Sequence, residues 1–286
     1  MRNNKYTLIE HPLLKREKIV CLTLDVEQDY GDLLEEPSFE GLNYIPEVVK
    51  FFKERKMPLT CFVQGSLFET HPDKIEQLAE LDVEFELHSY SHPNPKKMNT
   101  ELEVKKGKKA YQRFFGSNPL GYRAPLGFIL EEDFRILASE GFKFDSSIFP
   151  SIRPGVFNNL RAPVQPYLLD DFNLVEFPIT VLSNHIKIPI ALSYIKLLGK
   201  LYFRILFSLP QPNLIIFNFH IHDLFELKTS TRLMLEKHPL IYRCIFNRIY
   251  KGSENGFVIL DKLIKAWYEK GYEFWKLSEL YKAIFG

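Results

Sequence analysis

Two histidines separated by three residues, His88 and His92, are the side chains in this sequence best suited to hold a metal ion. Two imidazoles at this spacing can reach one divalent cation when the backbone turns between them. Pro93 follows directly and disfavours a continuing helix. The residues therefore predict a metal site where a strand passes into a loop, rather than two ordinary loop histidines.

Three acidic residues, Asp25, Glu27 and Asp29, follow the apolar run 19–24 at alternate positions. A carboxylate at the mouth of an apolar core is costly unless it is paired with a cation or binds a metal. Asp25 and Glu27 point to the same side if the strand continues. This spacing predicts that one carboxylate serves as a base while the other binds the ion.

Short apolar strands alternate with amphipathic helices along the chain, a pattern typical of a parallel sheet. Strands are predicted at 19–26, 59–65, 83–92, 120–125, 142–147, 174–180 and 214–220. Helices are predicted around 44–55, 72–81, 100–115 and 130–140, and within 186–209 and 256–284. About seven parallel strands over this length favour an α/β fold that closes into a distorted (β/α) barrel.

Polar residues lie at or just past the carboxyl ends of these predicted strands. They are Asp25, His88, Arg123, Asp145 and His220. In a parallel barrel the carboxyl ends of the strands meet at one face, where active sites lie. We therefore expect these five side chains to surround one site.

The order of these motifs resembles that of the polysaccharide deacetylase family, also described as the NodB homology domain or carbohydrate esterase family 4. The matching segments are Thr23-Leu24-Asp25-Val26-Glu27, His88-Ser89-Tyr90-Ser91-His92, Arg123-Ala124-Pro125-Leu126-Gly127, Asp145-Ser146-Ser147-Ile148-Phe149 and the strand that leads to His220. The resemblance implies a single catalytic domain over residues 1–286, with its core at about 18–284. It also implies removal of N-acetyl groups from a sugar, polysaccharide or glycan precursor.

The resemblance implies a divalent ion, usually zinc, that polarises the N-acetyl carbonyl and a water molecule. His88 and His92 would be its ligands. The aspartate that usually supplies a third ligand is Val26 here. Some family members carry Asp-Val-Asp or Asp-Val-Glu instead, which makes Glu27 the expected third ligand and Asp29 the alternative.

The resemblance also assigns the acid and base. Asp25 would be the general base, oriented by Arg123. Asp145 would pair with the catalytic histidine and keep it protonated for donation to the leaving amine. Both His220 and His222 fit the final motif, and the distance from the start of the strand favours His220.

The family's oxyanion donor is a backbone N–H just after the proline of the third motif. Here that proline is Pro125, and the donor is the N–H of Leu126. The family usually has a tyrosine at the position of Leu126, so a side-chain contact to the sugar is lost.

Composition limits partners and location. Lys+Arg 37 against Asp+Glu 36 gives a charge of +1, which provides no field for nucleic acid. Cys21 and Cys61 lie in apolar runs without a disulfide pattern, and the first residues lack the apolar core of a signal peptide, so a cytoplasmic location is expected. The apolar, partly basic segment 186–209 reads as a buried barrel helix or as a peripheral membrane contact at the inner face.

Two other functions remain open at this stage. Proteins that resemble this family hydrolyse other amides, including cyclic ureides, with the same metal chemistry. A catalytically degenerate carbohydrate-binding module is the second alternative, motivated by Val26 in place of a ligand. Retention of Asp25, Arg123 and Asp145 argues against that module, since carbohydrate binding alone does not need all of them.

Overall fold

The computed structural model describes residues 6–30, 34, 36–94, 97–226, 240–250 and 255–286. The strands are β1 Tyr6–Leu8, β2 Ile19–Val26, β3 Leu59–Val63, β4 Val83–Leu87, β5 Gly121–Tyr122, β6 Phe144–Asp145, β7 Ile152–Arg153, β8 Phe157–Asn158, β9 Tyr167–Leu169, β10 Leu174–Glu176, β11 Leu214–His220 and β12 Glu273–Phe274. The helices are α1 Pro12–Arg16, α2 Ile45–Arg55, α3 Leu67–Thr70, α4 Pro72–Leu78, α5 Thr100–Phe115, α6 Glu131–Ser139, α7 Leu192–Ser208, α8 Ile221–Leu224, α9 Leu240–Tyr250, α10 Gly256–Glu269 and α11 Leu277–Phe285. Short 3-10 turns cover Glu40–Tyr44 and Pro125–Gly127.

The central sheet is largely parallel. Its neighbouring strands follow the order β11, β2, β3, β4, β5, β6 and β10, and every adjacent pair in this run is parallel. Beyond β10 the strands β9 and β1 are added antiparallel. The segment after β10 reaches the opposite edge, where the N–H of Thr180 donates to the carbonyl of Ile216 in β11 at 3.1 Å. The predicted α/β fold with about seven parallel strands is confirmed, and the sheet curls toward closure.

The alternation of side chains along β2 explains how the sheet directs its polar residues to one mouth. Leu22 and Leu24 face outward and belong to the apolar layer beneath the helices. Cys21 faces the inside of the curled sheet and packs in a second cluster with residues of other strands. The same inward row continues through Thr23 to Asp25, so the carboxylate emerges at the carboxyl end of the strand.

The apolar segment 186–209 differs from the single predicted helix. The helix begins only at Leu192, because the preceding residues are extended: Pro189 forms a β-bridge with Val181, and Ala191 forms one with Asn218. It also breaks at Gly199, whose φ of 71° and ψ of −158° are open to glycine. In the described part of the chain, no helix has both the length and the apolar character needed to span a bilayer.

Candidate metal centre and active site

Glu27, His88 and His92 form one compact group of possible metal ligands. Glu27 follows β2, His88 follows β4, and His92 lies four residues further along the loop. The Oε2 atom of Glu27 is 2.7 Å from the Nε2 atom of each histidine, and the two rings are 5.1 Å apart. All three side chains are buried. The two histidines and the acidic residue predicted to join them are therefore brought together.

The loop between the histidines owes its shape to two residues with left-handed backbone. Ser89 and His92 have φ values of 54° and 52°, a conformation that costs of order 1 kcal/mol or more for a side-chain-bearing residue. The carboxylate of Glu103 in α5 offsets this cost, because it accepts the N–H groups of Tyr90 and Ser91 at 3.0 and 2.7 Å. Helix α5 thus holds the turn that aims both imidazoles at Glu27.

The hydrogen bonds around the two histidines fit a bound cation. The Nδ1 atom of His88 is 2.8 Å from the carbonyl oxygen of Arg123, which can only accept, so Nδ1 carries a hydrogen and Nε2 is the nitrogen that faces Glu27. The Nδ1 atom of His92 is buried without a hydrogen-bond partner among the described residues, and its Nε2 atom contacts Glu27 Oε2 alone. Two imidazole nitrogens and a carboxylate match a catalytic zinc site that keeps a position open.

The charge of Glu27 suits this role. Burial raises the pKa of its carboxyl. The neighbouring His92 and His88 lower this pKa by more than burial raises it, so the pKa of Glu27 lies well below its usual range. The group is therefore an ionised ligand at neutral pH.

Asp25 lies beside this group in a fixed orientation. Its Oδ1 atom accepts a hydrogen bond from Arg123 Nη1 at 2.7 Å, and its Oδ2 atom accepts one from Asn218 Nδ2 at 2.8 Å. Arg123 is itself fixed, since Thr23 Oγ1 and the carbonyl oxygen of Ser146 accept from it at 2.9 and 2.8 Å. The predicted pairing of Arg123 with Asp25 is present. Asn218 was not predicted, although its place two residues before His220 in β11 put it on the inward face.

Asp29 occupies a different environment from Glu27. Its carboxylate accepts from Ser38 Oγ at 2.7 Å and from the N–H of Gly41 at 3.1 Å. Among the described residues, the groups that could hold an ion include Glu27 and not Asp29. Burial raises the pKa of Asp29 to about 6, against those hydrogen bonds. Asp29 therefore anchors Ser38 and Gly41 to the segment that follows β2 and takes no part in the ligand group.

The two histidines of the last motif have distinct surroundings. His220 Nε2 is 3.5 Å from Asp25 Oδ2 and 3.9 Å from Glu27 Oε1, while its Nδ1 atom donates to Asp223 Oδ2 at 2.9 Å. His222 stacks on His220 with ring centroids 4.8 Å apart, and its Nδ1 atom accepts the N–H of Tyr30 at 3.2 Å. His220 therefore faces the base, whereas His222 forms the wall behind it.

The pKa values of these histidines diverge. Burial lowers the pKa of His220, but the hydrogen bond to Asp223 and the surrounding carboxylates raise it to about 9. Burial and the charge of His220 lower the pKa of His222 to about 4. At neutral pH His220 is thus protonated and can act as a general acid, whereas the stacked His222 is neutral.

Asp145 differs from its expected pairing with the catalytic histidine. Its carboxyl accepts from the hydroxyl and the N–H of Ser147 at 2.7 and 2.9 Å, and it is hydrogen-bonded to the carboxyl of Glu176. His220 has its acidic partner in Asp223, three residues further on. The reason is local: α8 begins directly after His220 and turns Asp223 back onto both the ring and the N–H of His220.

The Asp145–Glu176 pair predicts a pH dependence of stability. Burial and then the neighbouring Asp145 charge raise the pKa of Glu176 well above its ordinary 4.5, so the folded pair keeps a proton that the unfolded chain releases. This contribution is complete below about pH 4.5 and is lost as pH rises through the folded-state pKa. Glu176→Gln removes the titration. Wild type therefore loses stability as pH rises, whereas the variant does not. We expect the melting temperature of the variant minus that of wild type to increase from about pH 5 to about pH 9.

Melting curves of both proteins across this range test the expectation, with Glu131→Gln on the exposed start of α6 as the control. A constant difference between Glu176→Gln and wild type would show that the pair holds no such proton.

The turn after Pro125 presents a backbone donor. Leu126 has a φ of 56° and ψ of 11°, and its N–H donates to no acceptor among the described residues. The next residue must be glycine, because a Cβ on Gly127 would come within 2.9 Å of the carbonyl oxygen of Ser147 at a φ of +67°. Strained backbone with an unused N–H is suited to stabilising a developing negative charge.

Residues 15–144 match the family model described as polysaccharide deacetylase. A peptidoglycan deacetylase of Helicobacter pylori is 30% identical over 124 residues, which are 42% of this chain and 42% of that protein. The aligned part thus spans about two fifths of the length of this curated relative.

Two solved structures share the fold. A family 4 carbohydrate esterase from Bacillus anthracis is similar with a TM-score of 0.51 and 17% identity, covering 98% of each chain. A pseudoenzyme of the same family, also from Bacillus anthracis, has a TM-score of 0.51 and 16% identity, covering 94% of this chain and 66% of the other. Because one of these neighbours is a pseudoenzyme, the shared fold leaves the question of activity to the site itself.

Proposed function

The chain resembles the polysaccharide deacetylase family in its sequence over residues 15–144 and in its fold, and from this premise we propose that it is a metal-dependent deacetylase of N-acetylated carbohydrates. The observation that carries the proposal is the contact of Glu27 Oε2 with His88 Nε2 and His92 Nε2, each at 2.7 Å, beside a clamped Asp25. A binding module needs no such group of donors next to a base.

In the proposed reaction, separate residues hold the metal ion and act as the general base. Glu27, His88 and His92 would hold a divalent cation, with zinc best suited to these donors, and the bound ion would supply polarisation of the acetamide carbonyl. Asp25 accepts the proton of the attacking water, with its carboxylate held by Arg123 and Asn218.

Two further groups complete the reaction. The N–H of Leu126 donates to the carbonyl oxygen as negative charge develops there. His220 gives its proton to the leaving amine, so that the product leaves as an amino sugar and acetate. The neutral His222 is not suited to this step, which supports His220 as the acid.

Asp223→Asn tests the pairing of His220. The amide keeps the acceptor for the N–H of His220 but removes the charge that favours the protonated ring. We expect kcat to fall by about 10-fold to 100-fold with unchanged bound metal. Steady-state kinetics with metal analysis measures both values. A kcat equal to that of wild type would assign the acid elsewhere.

The setting proposed for this activity is the cytoplasm, with a glycan precursor as substrate. Cys21 and Cys61 are buried free thiols, which suits a reducing compartment. The whole chain, residues 1–286, is proposed to act as one catalytic domain, because strands from its first to its last quarter pair in the central sheet.

Acetate release tests the function. The protein is stripped with a chelator, reloaded with zinc, and assayed on short chitooligosaccharides, lipid-linked N-acetyl glycans and allantoin. We expect acetate from an N-acetyl glycan only after reloading. Hydrolysis of allantoin alone would assign the chain to ureide hydrolysis. Glycan binding with no acetate at any zinc concentration would make it a degenerate binding module.

A further inference from the structure

Helices α7 and α9 present large aliphatic side chains to solvent. Leu201 and Ile205, one turn apart on α7, are 69% and 38% exposed. On α9, Leu240 and Ile245 are 71% and 36% exposed. The opposite side of α7 packs into the core through Tyr202 and other residues. The helix is therefore apolar on both sides, which burial in the fold alone does not explain.

Helices α7 and α9 lie next to each other at the break in α7. The guanidinium of Arg248 in α9 lies over the break in α7, where a Cβ on Gly199 would come within 2.8 Å of its Nη2 atom. The Nε atom of Arg248 also donates to the carbonyl oxygen of Leu197 at 3.4 Å. Because Arg248 bridges α9 to the break in α7, we call the exposed faces of both helices the α7–α9 surface.

The charge of this surface is of one sign. Helices α7 and α9 contain no aspartate or glutamate, whereas the whole chain has Lys+Arg 37 and Asp+Glu 36. Their basic residues are Lys200, Arg204, Arg243 and Arg248, together with Lys196, which is buried and does not belong to the surface. Lys200 and Arg204 are exposed and flank the exposed Leu201 and Ile205. Aliphatic side chains between long basic ones suit the boundary of an anionic bilayer, where the basic stems extend to the headgroups.

The inner side of α9 contacts the wall of the active site. Phe246 and Tyr250 pack edge-on against Tyr30, with ring centroids 4.8 Å away in each case. Tyr250 also packs against His222, whose ring stacks on His220. Two ring contacts, Tyr250 with His222 and His222 with His220, therefore connect α9 to the catalytic histidine.

We propose that the α7–α9 surface docks on an anionic lipid bilayer and that the substrate is an N-acetylated glycan attached to a lipid. The choice of substrate rests on the proposed deacetylase function. The docking itself does not, because it depends only on the exposed aliphatic and basic residues of the two helices.

Sedimentation of the full chain with vesicles tests the docking. We expect the protein to pellet with vesicles that contain phosphatidylglycerol and to stay in the supernatant with phosphatidylcholine alone or at high salt. Leu201→Ser combined with Ile205→Ser should lower the bound fraction by at least about fivefold. Lys200→Gln combined with Arg204→Gln should do the same. Leu102→Ser, at a 55% exposed leucine of α5, is the matched control and should bind as wild type does.

Three results would overturn the proposal: wild type that stays in the supernatant with phosphatidylglycerol vesicles, double variants that bind like wild type, or a control that fails equally. Acetate release from short chitooligosaccharides without vesicles is measured on the same proteins. Unchanged release in the double variants, with release from a lipid-linked glycan in vesicles reduced about fivefold, is the expected pattern. A variant that no longer binds vesicles but still releases acetate from short chitooligosaccharides shows that the docking and the deacetylase activity can be tested independently.

Discussion

Asp25→Asn is expected to lower kcat for acetate release by about 10³-fold while the protein keeps its metal. Asn is isosteric with Asp, but its amide cannot take the proton of the attacking water. The carboxylate of Asp25 is oriented by Arg123 at 2.7 Å and by Asn218 at 2.8 Å, and it lies outside the contact that joins Glu27 to the histidines. The variant should therefore lose the base without losing the metal site.

The measurement combines steady-state kinetics with metal analysis of the same preparation. Asp29→Asn is the matched control, because Asp29 is a buried carboxylate of the same segment whose partners are Ser38 and Gly41. Its kcat should stay within about threefold of wild type. Asp25→Asn with wild-type kcat would remove Asp25 from the mechanism.

Glu27→Gln is expected to lower metal affinity by at least about 100-fold. The amide is neutral and, with its N–H₂ turned toward the imidazoles, competes with a cation for their lone pairs. In the protein, Glu27 is the acidic side chain within 2.7 Å of both His88 Nε2 and His92 Nε2. His88→Ala should have an effect of similar size, because it removes one of the two imidazoles.

Zinc competition against a chromophoric chelator measures these affinities, and melting curves identify any variant that fails to fold. Asp29→Asn is again the control, because the sequence offered both Glu27 and Asp29 as the third metal ligand. Retained zinc in Glu27→Gln together with lost zinc in Asp29→Asn would make Asp29 the ligand and contradict the geometry.

Much of the fold could be predicted from the sequence where an element is long and uniform. Strands β2 and β11 and helix α5 have the predicted bounds, because each is a continuous apolar run or a full amphipathic period. The predicted strand at 83–92 ends at Leu87, since the chain turns where the histidine loop begins. Strands β1, β7, β8 and β9 were not predicted, because two or three residues are too few to show the alternation of apolar and polar side chains typical of a strand.

The site was predictable to the extent that it follows from strand ends. Parallel strands in register place Asp25 beside His220, a pairing that the apolar runs before each residue anticipate. The partners of those residues depend on tertiary contacts. Asp145 meets Glu176 rather than a histidine because β6 and β10 place these two residues directly side by side. Asp223 reaches His220 because a single turn of helix follows that histidine, and a helix this short shows no hydrophobic periodicity in the sequence.

Anomalous diffraction from crystals grown with zinc, collected on both sides of the zinc absorption edge, tests the metal centre most directly. The geometry predicts one strong peak at ligand distance from Glu27 Oε2, His88 Nε2 and His92 Nε2, close to the carboxylate of Asp25. A peak coordinated by Asp29 in place of Glu27, or no peak in crystals of protein that releases acetate, would contradict the assignment.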